Sequence, residues 1–194
     1  MIAIIDYDAG NVKSVQNALK KLGFEAVITS DIETIENADK VIFPGVGEAS
    51  SAMKKLQERG LDAVIPNLKQ PVLGICLGMQ LMCNASEEGN TKALGIFDCE
   101  VKLFLNSDIV PHMGWNNVSE MKGKLLENIS DTDNFYFVHS YYAEIGENTS
   151  SVCDYIKNFS ATLEKDNFFA AQFHPEKSGD AGFKLLENFL NLRF

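Results

Sequence analysis

The chain has 194 residues, 45% of them apolar and 23% charged, a composition and length that fit one globular domain with a core of its own. Seventeen basic against twenty-seven acidic side chains give a formal net charge of −10, which repels nucleic acid and anionic membrane surfaces. No run of about 18 apolar residues occurs, and residues 1–6 lack the basic and long apolar regions of a secretion signal, so neither a membrane span nor export is expected.

In chain order, Ile2–Ile5 is a short apolar run closed by Asp6-Tyr7-Asp8-Ala9-Gly10-Asn11. Val12, Val15, Leu19 and Leu22 then recur at helical spacing up to Gly23. Ala26–Thr29 and residues 41–43 read as the second and third strands, the third ended by Pro44-Gly45-Val46-Gly47. A helix is predicted over 49–59, then a fourth strand over Val72–Cys76 and a helix from about Gly78. Short, continuously apolar strands alternating with helices predict a parallel sheet covered on both faces. Ligands of such sheets bind beyond the carboxyl ends of the strands, where the three glycine-bearing loops fall. Residues 99–105, 135–139, 159–163 and 168–173 are rich in Phe, Tyr and Val and are expected as antiparallel additions to that sheet; a helix with Phe183, Leu186, Phe189 and Leu190 closes the chain. No linker or repeat divides it, so residues 1–194 form a single domain.

The strongest chemical motif is Gly74-Ile75-Cys76-Leu77-Gly78, a cysteine flanked by glycines between a strand and a helix. That pattern is a thiol version of the nucleophile elbow, in which a sharp turn exposes the sulfur and the helix start favours its negative charge. Cys83, Cys99 and Cys153 lack such surroundings and read as buried structural thiols, free in a cytoplasmic protein. A thiolate nucleophile needs a base and an orienting group. Of His112, His139 and His174, only His174 carries a nearby acid, in His174-Pro175-Glu176. Pro175 favours an extended backbone at His174, and Glu176 two residues on can reach its ring. His139 is the backup base, and His112 reads as architecture. The Pro44–Gly47 turn is a poor dinucleotide loop, because its third glycine position holds Ser50 and the position about 20 residues on is Ile65 and not an acid. It suits an amide that points at an oxyanion.

Together these motifs resemble the class I (triad) glutamine amidotransferases, and within them the glutaminase subunits that serve imidazole glycerol phosphate synthesis in histidine biosynthesis. The likeness runs nearly end to end and includes Ser86-Glu87-Glu88-Gly89, Pro111-His112-Met113-Gly114-Trp115-Asn116, Tyr136-Phe137-Val138-His139-Ser140-Tyr141 and Gln172-Phe173-His174-Pro175-Glu176-Lys177-Ser178. It departs from the pattern at Asp8 and Gly179, where a Gly and a Gln are common. The resemblance implies a flavodoxin-like, doubly wound, mostly parallel mixed sheet, and a Cys76–His174–Glu176 triad that hydrolyses L-glutamine. It implies an oxyanion hole from the Leu77 amide and, after a flip of the turn, the Val46 amide. It implies glutamine contacts at Gly47, Gln80, Ser140 and Tyr141, and no cofactor or metal. The implied partner is a (β/α)₈-barrel synthase subunit that receives the ammonia in a heterodimer, with Asn11, Trp115, Tyr136 and Lys177 as interface candidates. The alternatives are a related glutaminase serving sugar amination, a peptidase-like cysteine hydrolase, and a scaffold without activity.

Overall fold

A computed structural model describes residues 1–105 and 109–193. The first half alternates as predicted: β1 (Ile2–Ile5), α1 (Val12–Lys21), β2 (Ala26–Thr29), α2 (Ile32–Glu36), β3 (Lys40–Gly45), α3 (Ala49–Glu58), α4 (Leu61–Val64), β4 (Val72–Cys76) and α5 (Leu77–Leu81). β2, β1, β3 and β4 lie side by side and are all parallel. Every residue of β1 and β4 is buried, because helices cover both faces. Ile2, Ile4, Ile42 and Leu73 join one core with α1, whereas Ala3, Ile5, Val41 and Phe43 join the other with α3. The alternation of neighbours between two cores is the period-2 signature of a strand.

β3 runs two residues past its expected end, with Pro44 paired to Ile75 and Gly45 to Cys76. Val41 donates its N–H on the β4 side. By alternation Pro44 turns its missing donor toward β1, whose pairing with β3 has already stopped at Ile42. The extension carries the Gly45-Val46-Gly47 turn up beside Cys76. The short helices α2 and α4 are additions within the crossovers; Asp31 caps α2 by accepting from the Thr34 N–H.

The second half comprises β5 (Ala85–Ser86), β6 (Thr91–Lys92), β7 (Glu100–Leu103), β8 (His112–Asn117), β9 (Asn134–His139), β10 (Tyr141–Ala143), β11 (Thr149–Asp154), β12 (Asn158–Lys165), β13 (Phe168–Ala171) and α6 (Gly179–Asn191). Here the expectation of antiparallel additions needs correction. The central sheet has the order β11-β12-β13-β4-β3-β1-β2. β12 is antiparallel to β13, but β13 lies parallel to β4. A tight turn with Asp166 at positive φ reverses the chain between β12 and β13, so a strand inserted next to β4 regains its direction. β7 belongs to a separate four-stranded sheet, β10-β7-β5-β6, and β9 pairs with β8 in a two-stranded ribbon. α6 packs Leu185, Leu186, Phe189 and Leu190 into the core it shares with α1. Among the described residues no helix is long and apolar enough to cross a membrane.

Candidate active site

The carboxyl ends of β3 and β4 and the segment after β13 converge on one cavity of about 380 Å³. Cys76 ends β4 and caps α5 with φ 54° and ψ −110°. That is a strained conformation for a residue with a Cβ, of the kind that costs about 1–3 kcal/mol and persists where the surrounding packing enforces it. The enforcement comes from Gly74 and Gly78. A methyl group on Gly78 would overlap the Phe43 carbonyl of β3, and one on Gly74 would lie 2.6 Å from the Met82 sulfur. The elbow closes only because α5 can approach β3 and β4 without side chains between.

Cys76, Leu77, Gln80 and Glu88 line one side of the cavity with Val46 and Gly47; Ser140, Tyr141 and His174 line the other. His174 stands three residues beyond β13, and its backbone N–H donates to the Tyr136 carbonyl at 2.9 Å. Its ring shares the cavity with the Cys76 sulfur, and the two groups interact electrostatically. Nδ1 meets Glu176 Oε1 at 2.8 Å, and both side chains are buried. Nδ1 therefore carries the proton shared with the carboxylate, which turns Nε2 to the sulfur. Burial by itself would lower the His174 pKa, but the hydrogen bonds to Cys76 and Glu176 and their charges outweigh it and raise it from 6.5 to about 10. The folded chain thus holds this proton more tightly than the unfolded chain. The stability it contributes is complete below about pH 6.5 and is lost as the pH rises toward 10. Urea midpoints measured at pH 6.5 and 9.5 should fall more for the wild type than for His174→Asn; equal falls would contradict the raised value.

His139 is not placed to act as a base. Its Nδ1 lies 2.7 Å from the Tyr141 carbonyl, which can only accept, so Nδ1 bears the proton. Nε2 then accepts from His112 Nδ1 at 3.0 Å, and the Asn116 amide donates to His112 Nε2 at 3.4 Å. Burial pushes His139 down to about 3 and His112 to about 4, so both rings stay neutral. His112 stacks on Phe137 and Tyr155 beneath the ribbon, which fits its reading as architecture. Cys83, Cys99 and Cys153 are buried free thiols.

The two oxyanion candidates differ. The Leu77 amide opens α5, where a helix leaves N–H groups without a partner in the helix itself. The Val46 N–H is engaged: it donates to the Ala9 carbonyl at 3.0 Å, away from the sulfur. The next residue, Gly47, has φ 102° and open space where a Cβ would stand, so the turn has room to rotate. The interface candidates gather on one side. Trp115 is exposed and meets Tyr136 edge-on at 5.9 Å across the ribbon. Tyr136 is hydrogen-bonded through its backbone to His174 and Ser178, Lys177 is exposed in the turn between them, and α1, which Asn11 opens, packs against that turn. Asp8, where a glycine is common, has φ 61°; Asp6 accepts its N–H, and Arg59 holds its carboxyl below the usual range by a hydrogen bond and its charge.

Two residues of the site carry roles the motifs did not assign. Glu88 sits on a single turn between β5 and β6, half-buried at the cavity wall, with Oε2 accepting from the Ala49 N–H at 2.8 Å. Burial and the neighbouring Glu48 raise its pKa, opposed by that hydrogen bond. Gln172 is fully buried and lies 3.7 Å from the Cys76 sulfur through Nε2.

A strained cysteine on a strand-to-helix elbow, facing an acid-held histidine in an α/β sheet, defines a class of thiol-dependent acyl-transfer enzymes. The family model for class-I glutamine amidotransferases matches residues 3–192, and the chain belongs to that family. Imidazole glycerol phosphate synthase subunit HisH of Bacteroides fragilis strain YCH46 is 58% identical over 98% of this chain and 99% of its own length. The subunit of the same name, HisH 2, from Methanococcus maripaludis is 47% identical over 98% of each chain. A chain in the structure of PurLQS from Thermotoga maritima superposes with a TM-score of 0.73 at 18% identity, covering 98% of this chain and 97% of that one, a likeness of fold.

Proposed function

We propose that the chain is the glutaminase subunit of an imidazole glycerol phosphate synthase, working in histidine biosynthesis in the cytoplasm; its HisH relatives are named as subunits of that synthase. The observation that carries the chemistry is the meeting of Cys76 and His174 at one cavity, with Glu176 Oε1 at 2.8 Å from the ring Nδ1. The Cys76 thiolate attacks the carboxamide carbon of L-glutamine, forming a C–S bond. The oxyanion is met by the Leu77 amide. The C–N bond breaks as the His174 imidazolium gives its proton to the departing ammonia. His174 then takes a proton from water, hydroxide adds to the thioester, and the C–S bond breaks to release glutamate and the thiolate. Glu176 holds the ring through its hydrogen bond to Nδ1.

Recognition of the amino-acid end draws on Glu88, whose carboxylate in the cavity complements an α-ammonium group. Both amide protons of Gln80 are committed, to the Tyr141 carbonyl at 2.9 Å and Gln172 Oε1 at 3.0 Å. Gln80 therefore offers only its oxygen to the substrate. Gly47, Ser140 and Tyr141 complete the wall. Ammonia passes to a (β/α)₈-barrel synthase subunit that docks in a heterodimer on the side bearing Asn11, Trp115, Tyr136 and Lys177.

Since the Val46 N–H is tied to Ala9, the isolated chain should be a slow glutaminase. Adding the barrel subunit with its nucleotide substrate should raise kcat by about 10²–10³-fold, the worth of one oxyanion donor. A rate in isolation equal to that of the complex would contradict this. The pathway is tested by complementing a histidine auxotroph that lacks its own glutaminase subunit, grown on low ammonium. Growth with the wild-type chain and none with Cys76→Ala is expected. No growth despite full expression would favour a sugar-amination role.

A further inference from the structure

The orientation of the Gln172 amide follows from a carbonyl on another strand. The Tyr141 oxygen can only accept, so Gln80 turns its amide nitrogen toward it at 2.9 Å. The second proton on that nitrogen goes to Gln172 at 3.0 Å, which must present its oxygen there. The Gln172 nitrogen then faces the opposite way, toward the Cys76 sulfur at 3.7 Å. The backbone fixes the rest: the Gln172 N–H donates to the Ala161 carbonyl at 2.8 Å, two residues before His174, where the chain bends just past β13. Gln172 and His174 both reach toward the sulfur, while Phe173 between them stacks on Phe135.

We propose that Gln172 is a fourth catalytic residue: its side-chain N–H donates a hydrogen bond to the Cys76 sulfur, holding it as a thiolate and stabilising it again when it leaves the tetrahedral intermediate of thioester hydrolysis. No proton is transferred by Gln172; the amide supplies a fixed dipole. The sulfur has need of one, because the Val138 carbonyl also lies 4.0 Å from it, which a thiol can face as donor but a thiolate is repelled by. A hydrogen bond to an ionised sulfur is stronger than one to a neutral thiol, so the contact tightens on ionisation. The proposal rests on the reading of Cys76 as nucleophile, and its test needs no turnover.

The experiment is the pH dependence of Cys76 alkylation by iodoacetamide in the full-length chain, followed by peptide mass spectrometry, for wild type and Gln172→Met. Methionine keeps the length of the side chain and lacks the donor. Tyr7, His139, His174, Glu88 and Glu176 surround the sulfur equally in both proteins, so their effects cancel. The rate midpoint should rise by about one to two pH units, a ten- to hundredfold loss of thiolate at fixed pH, with plateau rates at high pH within about threefold. An unchanged midpoint would overturn the proposal. For a variant that does not fold, the unaltered protein decides: in ¹⁵N-labelled wild type, a Gln172 side-chain amide proton should shift downfield with the midpoint of alkylation, and a resonance indifferent to that titration would overturn the proposal. Failure of glutamine turnover alongside a shifted midpoint would sink the glutaminase reading and leave this one standing.

Discussion

Cys76→Ala should lower glutamine-dependent turnover of the reconstituted synthase by about 10⁴-fold or more, while turnover driven by added ammonium salt stays within about threefold of wild type. The size follows from removing the one atom that forms a bond to the substrate; oxyanion donors and substrate binding leave only a small residue of catalysis. The selectivity follows from packing. Alanine keeps the Cβ of Cys76, so the strain at φ 54° and the contacts of the elbow are unchanged. Only the sulfur, which faces the cavity and His174, is lost. Ammonium salt enters the synthase reaction downstream of the thioester. Loss of both activities would show that the substitution had damaged the fold or the docking face instead.

Gly78→Ala should be nearly as damaging, for a reason of shape. Its methyl group would overlap the backbone carbonyl of Phe43, which has no rotamer to give way, so β3 and α5 must move apart. Overpacking that cannot be relieved by a side-chain rotation costs about 1–3 kcal/mol of stability or more. Because α5 carries the Leu77 amide and follows the nucleophile directly, a displacement of about 1 Å should also cost the folded fraction about 10²-fold in kcat. Gly146→Ala is the control, since a Cβ there would meet nothing closer than 3.6 Å. Thermal unfolding and glutaminase assays on the pair should separate them clearly; equal stabilities would mean that the elbow tolerates a side chain.

The first half of the fold is legible because its inner strands β1, β3 and β4 are buried on both faces and its longer helices are amphipathic, so hydrophobic period reports the element. The second half is not, for identifiable reasons. β11 contains the run Thr149-Ser150-Ser151, which reads as a turn. It is a buried strand because its hydroxyls pair with Ser160 and Thr162 of β12 at 2.7–2.8 Å. β9 and β13 look alike in sequence, yet one joins a ribbon and the other the central sheet, a choice made by long-range pairing. In the site, the elbow and His174-Pro175-Glu176 are local patterns and can be read directly. Glu88 cannot, because its place at the cavity wall depends on β5 joining β7. The direction of the Gln172 amide is set by a carbonyl 31 residues away in sequence, at Tyr141, and no spacing rule encodes it. The Val46 turn reads as an oxyanion donor, but its engagement with Ala9 is visible only in three dimensions.

The central claim, that the Cys76 sulfur attacks the side-chain carbonyl of glutamine, is tested most directly by intact-protein mass spectrometry after treatment with an electrophilic glutamine analogue. One adduct per chain, mapped to Cys76, suppressed by excess L-glutamine and absent from Cys76→Ala, is expected. Labelling at another residue, or labelling of Cys76 that glutamine does not slow, would contradict the account.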